Sequence, residues 1–218
     1  MSSNTTVSLW ERMVLNLSLN GSVRNVEGFA YDVDPFNYAY NTSRAIPAYN
    51  EDGSLFYHEK IGSTSTAIGG KTTYNYNILN ELANTGSENE TRTWSATVDL
   101  QWEILLGLSY QGLFSYSSAS ADTEQYAGER SFYISSFRGY EYGSVSPNGN
   151  ETKCTRLPMG GLQESSLTNT KGISVRNSLV YNRSFKEKHR ITLQLGIETN
   201  STKTKGASNK RYGYMPDR

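Results

Sequence analysis

The sequence predicts an all-β protein, an antiparallel transmembrane β-barrel segment that is incomplete as a barrel and carries long extracellular loops. Three observations lead there: strands that alternate between apolar and polar residues, tight turns that join them in pairs, and very long connections between the pairs. The first strand spans about 9–22, where Met13, Leu15, Leu17 and Leu19 alternate with Asn16, Ser18 and Asn20. The second, about 92–104, carries the clearest signal. Trp94, Ala96, Val98, Leu100, Trp102 and Ile104 are apolar or small, and Thr93, Ser95, Thr97, Asp99, Gln101 and Glu103 between them are polar. Side chains of a strand point alternately to its two faces, so this segment has one wet face and one apolar face. The two tryptophans would then lie about 19 Å apart along a membrane normal, given ~3.4 Å per residue and a ~45° tilt. That spacing suits the aromatic girdles that flank the apolar band of an outer-membrane barrel. Taken alone, the strand fits a soluble sheet that turns its even face to a core better than it fits a barrel wall.

The third strand, about 108–119, follows a tight turn at 105–107. Leu108, Tyr110, Phe114 and Tyr116 alternate there with Ser109, Gln111 and Ser115, while Gly112 and Leu113 blur the register. The fourth, about 173–185, presents Val175, Leu179, Tyr181 and Phe185. A charged turn of Lys186, Glu187, Lys188 and His189 leads to the fifth, about 190–203, with Ile191, Leu193, Leu195 and Ile197 against Thr192, Gln194, Gly196 and Glu198. None of the five segments has helical periodicity. The two connections, about 23–90 and 120–171, are too long for a compact soluble domain. Brief turns on one rim and long loops on the other are the ordinary plan of a transmembrane barrel, which places the turns in the periplasm and the loops outside. A hydrophobic fraction of only 36% fits a barrel, whose lumen and loops are wet.

Other function classes find little support. No run of about 18 apolar residues exists, so no transmembrane helix is expected. The first ten residues lack the basic start of a secretory signal, so an exported protein of this kind is expected to extend beyond this chain. Basic and acidic residues balance at 21 each, which argues against a nucleic-acid surface. Cys154 has no second cysteine with which to pair and reads as an incidental loop residue or a reactive thiol. His58 and His189 are too far apart in the sequence to suggest a catalytic dyad or a zinc site. Asp32-Val33-Asp34 and Asn50-Glu51-Asp52-Gly53 lack the spacing of an EF-hand and read as turns. Gly69-Gly70-Lys71-Thr72 has no upstream glycine at phosphate-loop spacing, and the Asn-x-Ser/Thr sequons are what a chain rich in Asn, Ser and Thr produces by chance. No cofactor, metal or enzymatic activity is expected.

The loops carry five blocks in a fixed order: residues 34–40 (DPFNYAY), 47–57 (PAYNEDGSLFY), 76–82 (YNILNEL), 129–143 (ERSFYISSFRGYEYG) and 211–218 (RYGYMPDR). Between these strands, they make nearly the whole chain, from about Leu9 to Arg218, resemble the barrel region of SusC/RagA-type TonB-linked outer-membrane proteins of Gram-negative bacteria. Members of that family are several times longer, with a signal peptide, a plug domain and a barrel of about 22 strands. The resemblance therefore implies an internal piece of such a barrel, with the plug and the TonB-interacting segment absent. It implies import of nutrients such as glycans or peptides across the outer membrane. It further implies a SusD-type surface lipoprotein as lid and a TonB complex acting through the plug. Sixteen tyrosines, many in the loops, offer flat faces and hydroxyls to a sugar or partner, although loop aromatics also pack loops against one another. On this reading Tyr38, Tyr40, Arg44, Tyr133, Arg138 and Tyr140 are candidates for substrate or partner contact. For Arg138 a structural ion pair is the stronger reading. Trp94, Trp102, Tyr110, Tyr116 and Tyr181 are the candidate membrane-interface aromatics, against outer-membrane lipid. The remaining reading is a soluble extracellular β-sheet module that binds glycans or acts as an adhesin.

Overall fold

The computed structural model describes residues 1–62, 73–144, 157, 159–185 and 189–215. Cys154, the glycine run at 69–72, the turn residues Lys186, Glu187 and Lys188 and the last three residues lie outside the described set. Strands make up 67% of the chain and helices 11%, with an antiparallel sheet, so the class is all-β. The elements in order are β1 (Ser2–Trp10), β2 (Met13–Gly28), α1 (Pro35–Asn41), β3 (His58–Ile61), β4 (Thr73–Tyr76), α2 (Ile78–Asn84), β5 (Thr85–Leu105), β6 (Leu108–Ala127), α3 (Phe132–Arg138), β7 (Gly161–Phe185) and β8 (His189–Tyr214). Six of the strands form one open sheet in the order β1-β2-β5-β6-β7-β8, and β3 and β4 form a second, two-stranded sheet among the described residues.

The predicted single strand at 9–22 is corrected to a hairpin. It turns at Glu11 and Arg12, and β1 runs back along β2 with Val7 opposite Leu15, Thr5 opposite Leu17 and Ser3 opposite Leu19. Alternation is hard to see in β1 because Ser3 and Thr5, opposite Leu19 and Leu17, are as polar as the Ser, Thr and Asn residues of its wet face. Those residues bond across the pair, the Thr6 hydroxyl donating to Asn16 Oδ1 at 2.9 Å and the Ser18 hydroxyl to Asn4 Oδ1 at 2.6 Å. The other strands outrun their predicted ends, because backbone pairing continues through polar residues after the apolar ones stop. The connections predicted at 23–90 and 120–171 are correspondingly shorter and contain α1, α2, α3 and the β3–β4 hairpin.

The chain divides into two compact units. Unit 1 comprises Met1–Asn25, Glu90–Asp122 and Leu167–Ala207. Its polar face is a lattice of side-chain hydrogen bonds: Asn16 to Asp99 (3.0 Å), Ser22 with Thr93 (2.7 Å), Thr97 with Ser115 (3.1 Å), Arg176 to Glu198 (2.9 Å) and Thr170 with Thr204 (3.2 Å). These contacts fix the registers. By alternation they carry Leu15, Leu100, Val98, Phe114, Leu179 and Leu195 to the opposite face. That face is apolar and exposed: Leu19 is 57%, Trp94 52%, Leu195 75% and Ile197 69% accessible. Among the described residues of unit 1 no apolar side chain is buried. Gly112, which blurs the sequence pattern, falls on this apolar face. A Cβ there would lie 2.8 Å from the Tyr110 hydroxyl, so Tyr110 covers the gap that the glycine leaves.

Unit 2 comprises Val26–Asn89, Thr123–Ser166 and Ser208–Arg218 and holds the buried core. One cluster is Ala127, Ile134, Leu157 and Leu162, flanked by Tyr31, Tyr133 and Phe137; the other is Tyr74, Tyr76 and Phe132, flanked by Tyr38 and Ile78. Its helices are short and depend on their caps. Asp34 caps α1 through Asn37 N–H at 2.9 Å, with Pro35 at the first position. Asn77 caps α2, and Ser131 caps α3, which ends on the left-handed Gly139.

Gly107, in the β5–β6 turn, has φ +85°, and a Cβ there would sit 2.6 Å from the Asn182 carbonyl oxygen. Both the backbone conformation and the space exclude a side chain. Gly107→Ala is expected to cost about 1–3 kcal/mol in denaturant unfolding of the chain in detergent micelles. Gly28→Ala, where nothing approaches within 4 Å, serves as the neutral control.

Candidate functional site

Unit 2 is organised around a buried carboxylate. Glu81, 1% exposed on α2, accepts the Phe132 N–H with both oxygens, at 2.9 and 3.0 Å, and Asn80 Nδ2–H at 2.8 Å. It thereby ties the start of α3 to α2, satisfying an amide that a helix's first turn leaves unpaired. Burial pushes the carboxyl above its ordinary range, and these hydrogen bonds and the nearby Lys60 oppose the shift. Lys60 is opposite Tyr74 in the β3–β4 hairpin. Its ammonium lies 4.1 Å from the centre of the Tyr76 ring and 5.1 Å from that of Phe132. Burial lowers its pKa against the pull of Glu81 and Asp32. Asn77 completes the frame: its Oδ1 accepts Leu79 and Asn80 N–H, and its amide donates to the carbonyls of Ala48 and Phe56 at 2.9 and 2.7 Å. This clamps the turn at 50–53, in which Asn50 accepts Gly53 N–H and Asp52 accepts Ser54 N–H, the local bonding expected of a turn.

The six loop candidates separate into two groups. Tyr38, Tyr133, Arg138 and Tyr140 are committed to packing. Tyr38 stacks near His58 and Tyr76, at 6.2 and 5.6 Å, and Tyr133 lies 4.3 Å from Tyr31. Arg138 is 5% exposed; its Nε donates to the Tyr140 carbonyl at 3.3 Å, its Nη2 to the Glu129 carbonyl at 3.2 Å, and it lies over the buried Tyr140 ring at 4.9 Å. Its bonds go to backbone carbonyls, so it organises the loop around it. Tyr40, 83% exposed, and Arg44 are open to solvent, with Phe36 on the same turn of α1 as Tyr40. The structure does not gather the six into one site.

It does form a cavity of about 740 Å³ in unit 2, lined by Leu55, Tyr57, Leu79, Arg130, Glu141 and Tyr142 among others. The Arg130 guanidinium lies 4.8 Å over the Tyr142 ring and donates to no acceptor among the described residues. Glu141 Oε1 accepts the Asn75 N–H at 2.8 Å. Tyr57 is raised in pKa chiefly by burial. These residues were not singled out in the sequence, because Arg130 and Glu141 are separated by ten residues and an intervening helix and form no motif. Asn77 alone carried a legible signal, an N-cap amide just before the Ile-Leu start of α2.

The proposed interface aromatics lie on the sheet of unit 1. Trp94 and Tyr116 have ring centres 4.9 Å apart, Trp102 is 41% exposed, and the Tyr110 hydroxyl donates to Asn177 Oδ1 on the apolar face. Tyr181 is half-buried. No group of three or more His, Cys, Asp or Glu suited to a metal occurs among the described residues. No described helix is long and apolar enough to cross a membrane. The chain matches no protein-family model and no curated protein.

The raised Glu81 pKa carries a sign. A folded-state value above the unfolded one means that the folded state holds the proton more tightly, so this group's contribution to stability grows as pH falls from neutrality toward the ordinary glutamate range, then levels. Melting the wild type and Glu81→Gln at pH 5 and pH 7 should therefore show a difference in stability between them that changes with pH. Glu81→Ala, which strands the Phe132 N–H, is expected to lose about 2–4 kcal/mol at either pH.

Proposed function

We propose that unit 1 is a section of the wall of an outer-membrane β-barrel, and that the protein works as part of a SusC/RagA-type TonB-linked importer of nutrients such as glycans or peptides. The observation that carries the reading is the inverted surface of unit 1. Its polar face is hydrogen-bonded within itself, its apolar face is exposed along all six strands, and no apolar side chain among its described residues is buried. A sheet in water would turn that face to a core, and lipid is the solvent that favours the reverse. Exposed apolar surface of this extent marks a membrane or protein interface. The five loop blocks support the narrower assignment to the importer family, with the SusD-type lid and the TonB complex as partners.

Two measurements test it. In lipid vesicles, Leu100→Arg on the apolar face of the whole barrel is expected to cost about 2–4 kcal/mol and Gln101→Arg on the polar face to be tolerated; equal sensitivity of the two sites would reject the assignment. The isolated chain, with β1 and β8 as open edges, should need detergent to stay in solution. A monodisperse, cooperatively melting monomer in plain buffer would favour the soluble glycan-binding or adhesin module.

A further inference from the structure

We propose that the cavity beside Arg130 binds a carboxylate carried on a small, flat, partly apolar ligand. Arg130 is the cation that supports this. Its guanidinium lies over the Tyr142 ring, 4.8 Å from the ring centre, and among the described residues it has no acceptor. Arg138, eight residues on, shows the contrast: it is buried and donates to two backbone carbonyls. A guanidinium offers a planar pair of donors, the geometry that a carboxylate matches with both oxygens.

The rest of the lining fixes the shape of the ligand. Leu55 and Leu79 supply an apolar wall, and Tyr57 and Tyr142 supply aromatic faces against which a flat hydrocarbon surface can lie. About 740 Å³ is the volume of a site for a small molecule. Glu141 also lines the cavity, and its charge opposes a second anion. Its Oε1 accepts the Asn75 N–H, which fixes the carboxylate in the wall. The ligand therefore carries a carboxylate for Arg130 beside a surface that can lie against the rings of Tyr57 and Tyr142. Two sources offer this combination, a sugar acid and the C-terminal end of a short peptide. The cavity belongs to unit 2 alone, so the site holds whether or not the strands of unit 1 cross a membrane, and its failure would leave the barrel reading intact.

The test is saturation-transfer NMR on the full chain in detergent micelles with three probes: D-glucuronate, alanyl-alanine and neutral D-glucose. The expected result is binding of D-glucuronate or alanyl-alanine at least tenfold stronger than D-glucose, weakened by added KCl and lost tenfold or more in Arg130→Gln. Arg130→Lys should retain part of it. Preference between the two carboxylate probes identifies the source as sugar or peptide. A second variant, Tyr142→Leu, removes the ring that supports Arg130 while leaving the charge, and should weaken the same probe. Circular dichroism melts of each variant establish that it is folded. Binding of D-glucose equal to D-glucuronate, binding unchanged in folded Arg130→Gln, or no binding of either carboxylate probe would overturn the proposal.

Discussion

Successive side chains of a strand must point to opposite faces, and in unit 1 this rule governs everything else. Because Asn16, Asp99, Thr97, Ser115, Arg176 and Glu198 bond to one another across strands, the register is locked from the polar side. The apolar residues are then carried to the other face with no choice of their own. A slip of one residue in any strand would break this lattice and place leucines among amides. The Tyr110 cover over Gly112 is a consequence of that register, which also explains how Asn177 can sit on an apolar face: the Tyr110 hydroxyl satisfies it there. Individually these exposed hydrogen bonds and ion pairs contribute little to stability. Their effect is to choose one alignment among several of similar backbone energy.

Unit 2 follows a different rule, burial around a few obligatory hydrogen bonds. Its helices are seven residues long, too short to persist in isolation, and each begins at a side-chain cap. Glu81 and Asn77 connect those caps to their surroundings, the first to α3 and the second to the turn at 50–53. A charged group at 1% exposure is costly unless it is fully bonded, and here both carboxylate oxygens are engaged with Lys60 nearby. The consequence is a unit whose geometry depends on a polar network, so small changes there should shift loops that simple apolar packing would tolerate.

The legible part of the fold was the part with period two. Strands around 92–104 and 190–203 are visible because apolar and polar residues alternate over 93–104 and 191–198, and the one around 108–119 is visible despite the blur at Gly112 and Leu113. β1 was invisible as a separate strand because Ser, Thr and Asn occupy most of its positions, and only pairing with β2 makes it a strand. The extensions of β5, β7 and β8 were missed for the same reason: a strand such as Lys203 to Lys210 is held by its neighbour and gives little hydrophobic signal. In the loops, composition identified tyrosines but had no access to burial, and so could not separate Tyr38 and Tyr140, which are packed, from Tyr40, which is exposed.

The two arginines of α3 and its approach show what kind of information was lacking. Arg138 was conspicuous in sequence, between Phe137 and Gly139, and Arg130 was not. Folding reverses their standing, because the helix that separates them turns Arg138 onto the carbonyls of Glu129 and Tyr140 while Arg130 stays at the cavity wall, on the Tyr142 ring. A cation's availability depends on which acceptors reach it, and those acceptors are backbone oxygens present at every position of every chain. Side-chain identity therefore says where a charge is and only the path of the backbone says whether it is spent. The same argument applies to Glu81, whose two oxygens are both engaged by the N–H at the start of α3.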